Sequence, residues 1–155
     1  MEFDVTLAKQ PSLFRRLGAM LYDSVLLLGV LILATAIVAI PYEIVVGAKV
    51  YEATLPLALM RLYLLSVVAA FYVYFWMRGG QTLGMRAWRF RVIGDDGANL
   101  RLGSALQRFG WAILSLLPAG LGFWWSLIDR DRLAWHDRKS HSRLVMLEKS
   151  AGKAS

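Results

Sequence analysis

Residues Leu17–Ile40 read LGAMLYDSVLLLGVLILATAIVAI, a run of 24 positions with one charge, Asp23. At about 1.5 Å of rise per residue this is long enough to cross a hydrocarbon layer of about 30 Å. The run therefore decides for an all-α membrane protein. A carboxylate inside it costs roughly 2.5–3.5 kcal/mol on insertion scales, so Asp23 needs a partner or a use. Arg16 lies seven residues earlier, two helical turns away on the same face. A cleaved signal peptide is the competing reading of Arg15, Arg16 and the apolar run after them. The run is far longer than a signal core of about 7–15 residues and holds an acid, which argues for a retained helix.

Working outward, the spacing predicts a first helix over 14–40, ended by Pro41, and a loop over 41–56 with Glu43, Lys49 and Glu52. A second helix is predicted over 57–77, LALMRLYLLSVVAAFYVYFWM. Arg61 can snorkel outward, and Tyr72, Tyr74 and Trp76 fit an aromatic belt. Residues 78–103 form a basic loop that the positive-inside rule places in the cytoplasm. At its start, GGQTLGMR (Gly79–Arg86) lacks the Walker spacing and reads as a glycine-rich helix exit. WRFRVI, Gly94-Asp95-Asp96-Gly97 and ANLRL then suggest a small cytoplasmic β-hairpin. Trp88, Phe90 and Val92 would touch the membrane surface and the arginines its phosphates. A solvated basic loop is the alternative.

Ser104-Ala-Leu-Gln107 fits a capping box opening a third segment, 104–128. Its uncharged stretch, 109–128, is broken by Pro118, Gly120 and Gly122. It reads as one broken spanning helix or as a re-entrant pair of half-helices. A basic segment, 129–145, comes next, and 146–155 reads as a flexible tail. Re-entry keeps both basic segments on one side, which the charge pattern favours. Both termini are then cytoplasmic.

The composition agrees with a bilayer-embedded chain: 57% hydrophobic residues against 19% charged. The net charge of +7 sits between apolar segments, which matches a membrane topology signal rather than a nucleic-acid face. The expected contact is a bilayer with anionic lipids. With no cysteine, disulfides, thiol catalysis and cysteine metal sites are excluded.

Three groups carry candidate chemistry. Arg16 and Asp23 fit either an ion or proton path or a carboxylate that fixes helix packing. In the C-terminal cluster, Asp137 is placed to accept from Arg16 or Arg108 at the cytoplasmic surface. His136 and His141 are spaced by five and are the only histidines, which is poor for a metal. Gln81, Arg108 and His136 are supporting candidates. No nucleophile–base pair stands out, so no enzyme and no cofactor are expected.

FRRLGAMLYD, GGQTLGMRAWRFRVIGDDG and the late WHDRKSHSRLV, in this order, resemble the RDD family of small multi-pass membrane proteins. The resemblance runs from about Leu13 to Val145. It assigns the family's arginine to Arg16 and its two aspartates to Asp23 and Asp137. Many relatives have a threonine where Ser142-Arg143 stands here. The resemblance implies a bacterial cytoplasmic membrane and a suggested transport of an unidentified ligand. The expectation is a transport or permeation unit, with Asp23 as the ion- or proton-binding group. So few helices call for a homo-oligomer or a membrane-protein partner. The alternative is a non-enzymatic scaffold that binds partners or lipid.

Overall fold

The computed structural model describes residues 9–116, 120–130 and 133–147. Helix α1 spans Leu13–Val46, 34 residues, and α2 spans Thr54–Arg78, 25 residues. Both are long and apolar enough to cross a membrane, with mean hydropathy of 2.6 and 1.8. The buried residues of α1 are Arg16, Ala19, Asp23 and Ala34, while Leu21, Val25, Ile32 and Ile37 are each more than half exposed. Charged and small residues inside, branched apolar residues outside, is the reverse of a water-soluble helix. Lipid accounts for it, because an apolar solvent leaves only polar groups and close packing to be satisfied internally.

Both helix ends differ from the sequence reading. Pro41 does not end α1, which continues to Val46 and stops at Gly47. Gly47 takes the left-handed conformation (φ 71°) and donates its N–H to Glu43 O at 3.0 Å. Pro41 removes one backbone bond near the end of an apolar helix, which membrane helices tolerate. Helix α2 begins three residues before the expected start, with Pro56 in its first turn, where a missing N–H leaves no acceptor unmet. A 3-10 turn, Val50–Glu52, joins the two helices.

After α2 come a short helix, α3 (Leu83–Ala87), and strand β1 (Phe90–Gly94). The GDDG turn forms, with Gly97 N–H donating to Gly94 O at 2.9 Å. The expected hairpin with ANLRL does not. Strand β1 pairs antiparallel with β2 (Ser142–Met146) from the far end of the chain, with Val92 opposite Leu144. The other side of β1 is also occupied: Val92 N–H donates to Gly80 O at 2.7 Å, and Gln81 Nε2 donates to Phe90 O at 2.8 Å. Of ANLRL only Ala98 meets the strand, accepting the Gly94 N–H at 2.9 Å, and Leu100 turns into the core. Phe90 and Val92, expected against lipid, are buried in that core at 1% and 0% exposure. Met146 belongs to β2, so ordered structure passes the boundary expected at 145.

Helix α4 spans Leu102–Leu116 and starts before Ser104, which therefore lies within the first turn and does not cap it. Its 15 residues reach about 22 Å, less than a hydrocarbon core of about 30 Å. Pro118 of the expected break lies outside the described residues, as do residues 148–155 of the expected tail. Residues 121–127 hold α5 (Leu121–Trp124) and a 3-10 turn (Trp125–Leu127). Gly122 lies so close to Ser115 that an added Cβ would sit 2.5 Å from the serine Cβ, so the chain doubles back on α4. Helix α6 (Trp135–Lys139) then lies beside α4, with the Lys139 ammonium 5.3 Å from the Trp111 ring.

The two short helix–strand units are structural copies. Helices α3 and α6 each have five residues and lead, through two residues, into strands of the same length. The second linking residue has positive φ in both, 57° at Arg89 and 50° at His141. The N-caps Thr82 and Ala134 share an extended conformation. Matching Phe90 with Ser142 superposes Arg86 on Arg138 and Arg91 on Arg143. The antiparallel pairing gives these units a local two-fold relation centred on Val92 and Leu144.

Candidate functional site

The three residues singled out by the sequence fall into two adjoining clusters. Asp137 is the centre of the first and is fully buried. It sits at the third position of α6, where its Oδ2 accepts the Ala134 N–H at 2.9 Å and so closes the start of its own helix. Arg16 Nη1, from α1, donates to the same oxygen at 3.3 Å. Arg108 Nη2, from α4, makes an ionic contact with Oδ1 at 2.6 Å. Asp137 thus ties the starts of α1 and α6 to the middle of α4. Burial alone would raise its pKa, but Arg108, His136 and Arg16 outweigh that and hold it down at about 2.

The guanidiniums have further supports. Arg16 donates to Gln10 Oε1 at 3.1 Å and to Pro11 O at 3.4 Å. Arg108 Nη1 donates to Ser142 Oγ at 2.6 Å, and Ser142 Oγ is 2.7 Å from Ser140 Oγ. The hydroxyl at Ser142 is thus used, at the place where the family resemblance expects a threonine nearby. Arg108 also stacks 5.3 Å from the Trp76 ring, so Trp76 lies inside the fold and not in a lipid-facing belt. His136 is buried beside Asp137, with Nε2 3.5 Å from Oδ1. Burial pushes its pKa down to about 4, so it is neutral at neutral pH.

Asp23 forms the second cluster. It lies on the buried face of α1 and receives α3: Thr82 Oγ1–H donates to Oδ2, and Gly84 N–H donates to Oδ1 at 2.8 Å. Thr82 Oγ1 in turn accepts the Met85 N–H at 3.2 Å. Asp23 therefore supplies, from another helix, the acidic cap that Asp137 supplies to α6 from within. At the matching place in α3 stands Met85, which has no acceptor to offer. Glycine makes the approach possible: a Cβ on Gly84 would fall 2.2 Å from Ala19 O. Arg16 and Asp23 share a face, as their spacing requires, but each serves a different short helix. The sequence reading places Gly84 in the glycine-rich helix exit but links neither it nor Thr82 to Asp23. The available signal is a hydroxyl residue just before a Leu-Gly pair that opens a helix.

Between α1, α2 and α4 lies a partly open cavity of about 460 Å³. One end meets Arg16, Arg108, Trp76 and His136; Asp23 lies along one wall; the far end is apolar, with Leu27, Leu65 and Leu116. The cluster at the polar end holds two arginines and one carboxylate. Among the described residues no three of His, Asp and Glu converge as metal ligands do. His141 is exposed and pairs with Asp95, away from His136.

No curated protein and no solved structure matches this chain. The model of the RDD family matches residues 10–141. That span takes in both spanning-length helices, both short helix–strand units as far as His141, and the Arg16, Asp23 and Asp137 positions, and the chain belongs to the RDD family.

Proposed function

We propose that this is a non-enzymatic, multi-pass protein of the bacterial cytoplasmic membrane that holds a small ligand between α1, α2 and α4. It would work as a transport or permeation unit for that ligand, as an oligomer or with a membrane partner. One observation carries the reading: an apolar cavity lined by two helices of spanning length ends on two buried arginines that share one carboxylate. Such a combination of apolar walls and a few converging polar groups is the usual form of a small-molecule site. The basic segments around α3 and α6 support an orientation with both termini in the cytoplasm, and the doubling back at Gly122 supports re-entry of the third segment.

A cation path through Asp23 is less well supported. Both of its oxygens already accept bonds from α3, and an ion would have to displace them. The geometry favours a structural role for this acid. A second reading, a scaffold for partner helices, draws on the exposed apolar faces of α1 and α2, which partner helices would cover as well as lipid does.

The test is native mass spectrometry of the full-length protein released from its membrane in mild detergent. A bound small molecule of defined mass is expected on the wild type. It should be absent from Ala112→Phe, which fills the cavity wall, at unchanged helicity and oligomer size. A wild type that carries nothing, or an adduct indifferent to Ala112→Phe, overturns the ligand-site reading and leaves the scaffold.

A further inference from the structure

We infer that the start of α1 and the end of α3 together bind the head of an anionic bilayer phospholipid, its phosphate among Lys9, Arg15, Arg86 and Arg89 beside Trp88. The site is on the outer surface of the fold and does not depend on what the cavity holds.

The fold gathers these residues from two distant stretches. Thr82 and Gly84 meet Asp23, while the Trp88 ring lies on Gly18, where an added Cβ would fall 2.3 Å from its Cζ2. Helix α3 thus runs back along α1 towards its first turn. Arg15 is three residues before Gly18 and so its neighbour on the helix surface. Arg89 N–H donates to Arg86 O at 3.2 Å, a turn that keeps both arginines next to Trp88. Lys9 arrives through the backbone at the end of β2. Met146 N–H donates to Lys9 O at 2.8 Å, and Leu147 N–H donates to Arg89 O at 2.8 Å.

Charge points to the head. All four cations are exposed, and none has a side-chain hydrogen bond or ion pair among the described residues. The described acids are engaged or placed elsewhere. Asp23 and Asp137 are buried and taken by α3 and by the inner arginines. Asp95 and Asp96 follow the far end of β1, Asp129 pairs with Arg138, and Glu43 and Glu52 lie at the other end of α1. Like charges gathered on one small surface repel, and an anion between them offsets that repulsion. A phosphate diester offers acceptors to several cations at once.

Depth points to a lipid as the source of that phosphate. The apolar run of α1 opens at Leu17, so Trp88, seated on Gly18, is level with its beginning. Tryptophan gathers at that level in membrane proteins. Leu17, Leu21 and Leu83 are exposed nearby and give the lipid chains an apolar surface. Basic side chains at the end of a spanning helix are the usual contact of anionic lipid.

The experiment uses full-length protein, stripped of lipid in mild detergent and titrated with dioleoyl phosphatidylglycerol or dioleoyl phosphatidylcholine. Native mass spectrometry reads the affinity of the first lipid bound. Phosphatidylglycerol should bind at least tenfold more tightly than phosphatidylcholine. A basic residue near anionic lipid is worth about fivefold, so Arg86→Gln/Arg89→Gln should weaken phosphatidylglycerol about 25-fold. The same variant should leave phosphatidylcholine and the melting temperature unchanged, because both side chains are exposed. Arg86→Lys/Arg89→Lys should keep most of the affinity. Arg101→Gln/Lys139→Gln removes as much charge from the surface of α4 and α6 and should change the affinity less than twofold. Equal affinity for the two lipids overturns the anionic head. Equal losses in the two glutamine variants overturn the localised site and leave a diffuse basic surface. Inorganic phosphate that displaces phosphatidylglycerol at equal concentration makes this a bare-anion site and overturns the lipid. Ala112→Phe should not alter phosphatidylglycerol binding; loss there puts the lipid in the cavity and overturns the outer site.

Discussion

Asp137→Asn should be the most damaging conservative change in this chain. The asparagine keeps the shape of the side chain and can still accept the Ala134 N–H, so helix α6 keeps its first turn. What is lost is the negative charge between Arg16 and Arg108, whose contacts at 3.3 and 2.6 Å are both to this carboxylate. Removing one partner of a buried ion pair costs about 3–5 kcal/mol, because the surviving charge stays buried without compensation. Here two charges are left, so the upper half of that range is expected. For a chain of this length it corresponds to a fall of roughly 8–20 °C in melting temperature. Tryptophan fluorescence during heating in detergent reads it directly, since Trp76, Trp111 and Trp135 all border the cluster. The companion is Arg16→Met/Asp137→Leu/Arg108→Met, which removes the charges together. It should lie well above the single Asp137→Leu variant, because apolar replacement of a whole buried cluster is often neutral. A melting temperature for Asp137→Asn within about 2 °C of wild type would refute the buried cluster, since this is less than 1 kcal/mol at that length.

Gly84→Ala should destabilise by about 1–3 kcal/mol or more, because its Cβ would meet the fixed carbonyl of Ala19 at 2.2 Å. Gly110→Ala, with open space around it, should be neutral or stabilising by up to about 1 kcal/mol, and equal melting temperatures for the two would contradict the close approach of α1 and α3. Folded His136 has its pKa lowered from 6.5 to about 4, so on acidification the unfolded chain takes up the proton first. Stability should be constant above about pH 6.5 and fall by on the order of 3 kcal/mol towards pH 4, and His136→Gln should remove that part of the slope. Asp23→Ala should cost more than Asp23→Asn, since alanine loses both α3 acceptors and each charged bond is worth about 1.5–3 kcal/mol. Protein melting curves with the order reversed would count against the cap.

Much of this is legible in the sequence. Leu17–Ile40 and the run from Leu57 to Met77 announce the two spanning-length helices, because a long uncharged stretch has few other uses. The acid at 23 announces that something must meet it, and charge alone sets Asp137 against Arg16 and Arg108. Pairing partners are harder. The alternation in WRFRVI predicts a strand correctly but says nothing about which segment lies beside it. A nearby ANLRL looks adequate, yet it keeps only the bond from Gly94 to Ala98, and Gly80, Gln81 and Ser142–Met146 take the rest of the strand. Helix ends fail for a related reason. Pro41 and Ser104 are local signals with ordinary meanings, and their outcome here is set by the apolar stretch around Pro41 and by the earlier start of α4. The partner of Asp23 is not legible because Thr82 and Gly84 are 59 and 61 residues away, beyond any periodicity.

The duplicated helix–strand unit explains why this fold needs two aspartates that look so different in sequence. A five-residue helix has no length over which to accumulate backbone bonds, and its first N–H groups are unmet unless an acceptor is provided. In α6 the acceptor is local, the third residue, Asp137. In α3 the same place holds Met85, which turns towards the cavity, so the acceptor has to come from a neighbouring helix. The face of α1 that passes α3 carries Ala19 and Asp23, and Gly84 allows the contact. Asp23 can therefore be tolerated at membrane depth for a reason of packing alone, without any cargo. The other acid does the same work with charge as well. Asp137 closes the first turn of α6 and pairs with an arginine from α1 and another from α4, so a single carboxylate fixes three elements at once. Structure thus accounts for both acids, each as the cap of one short helix.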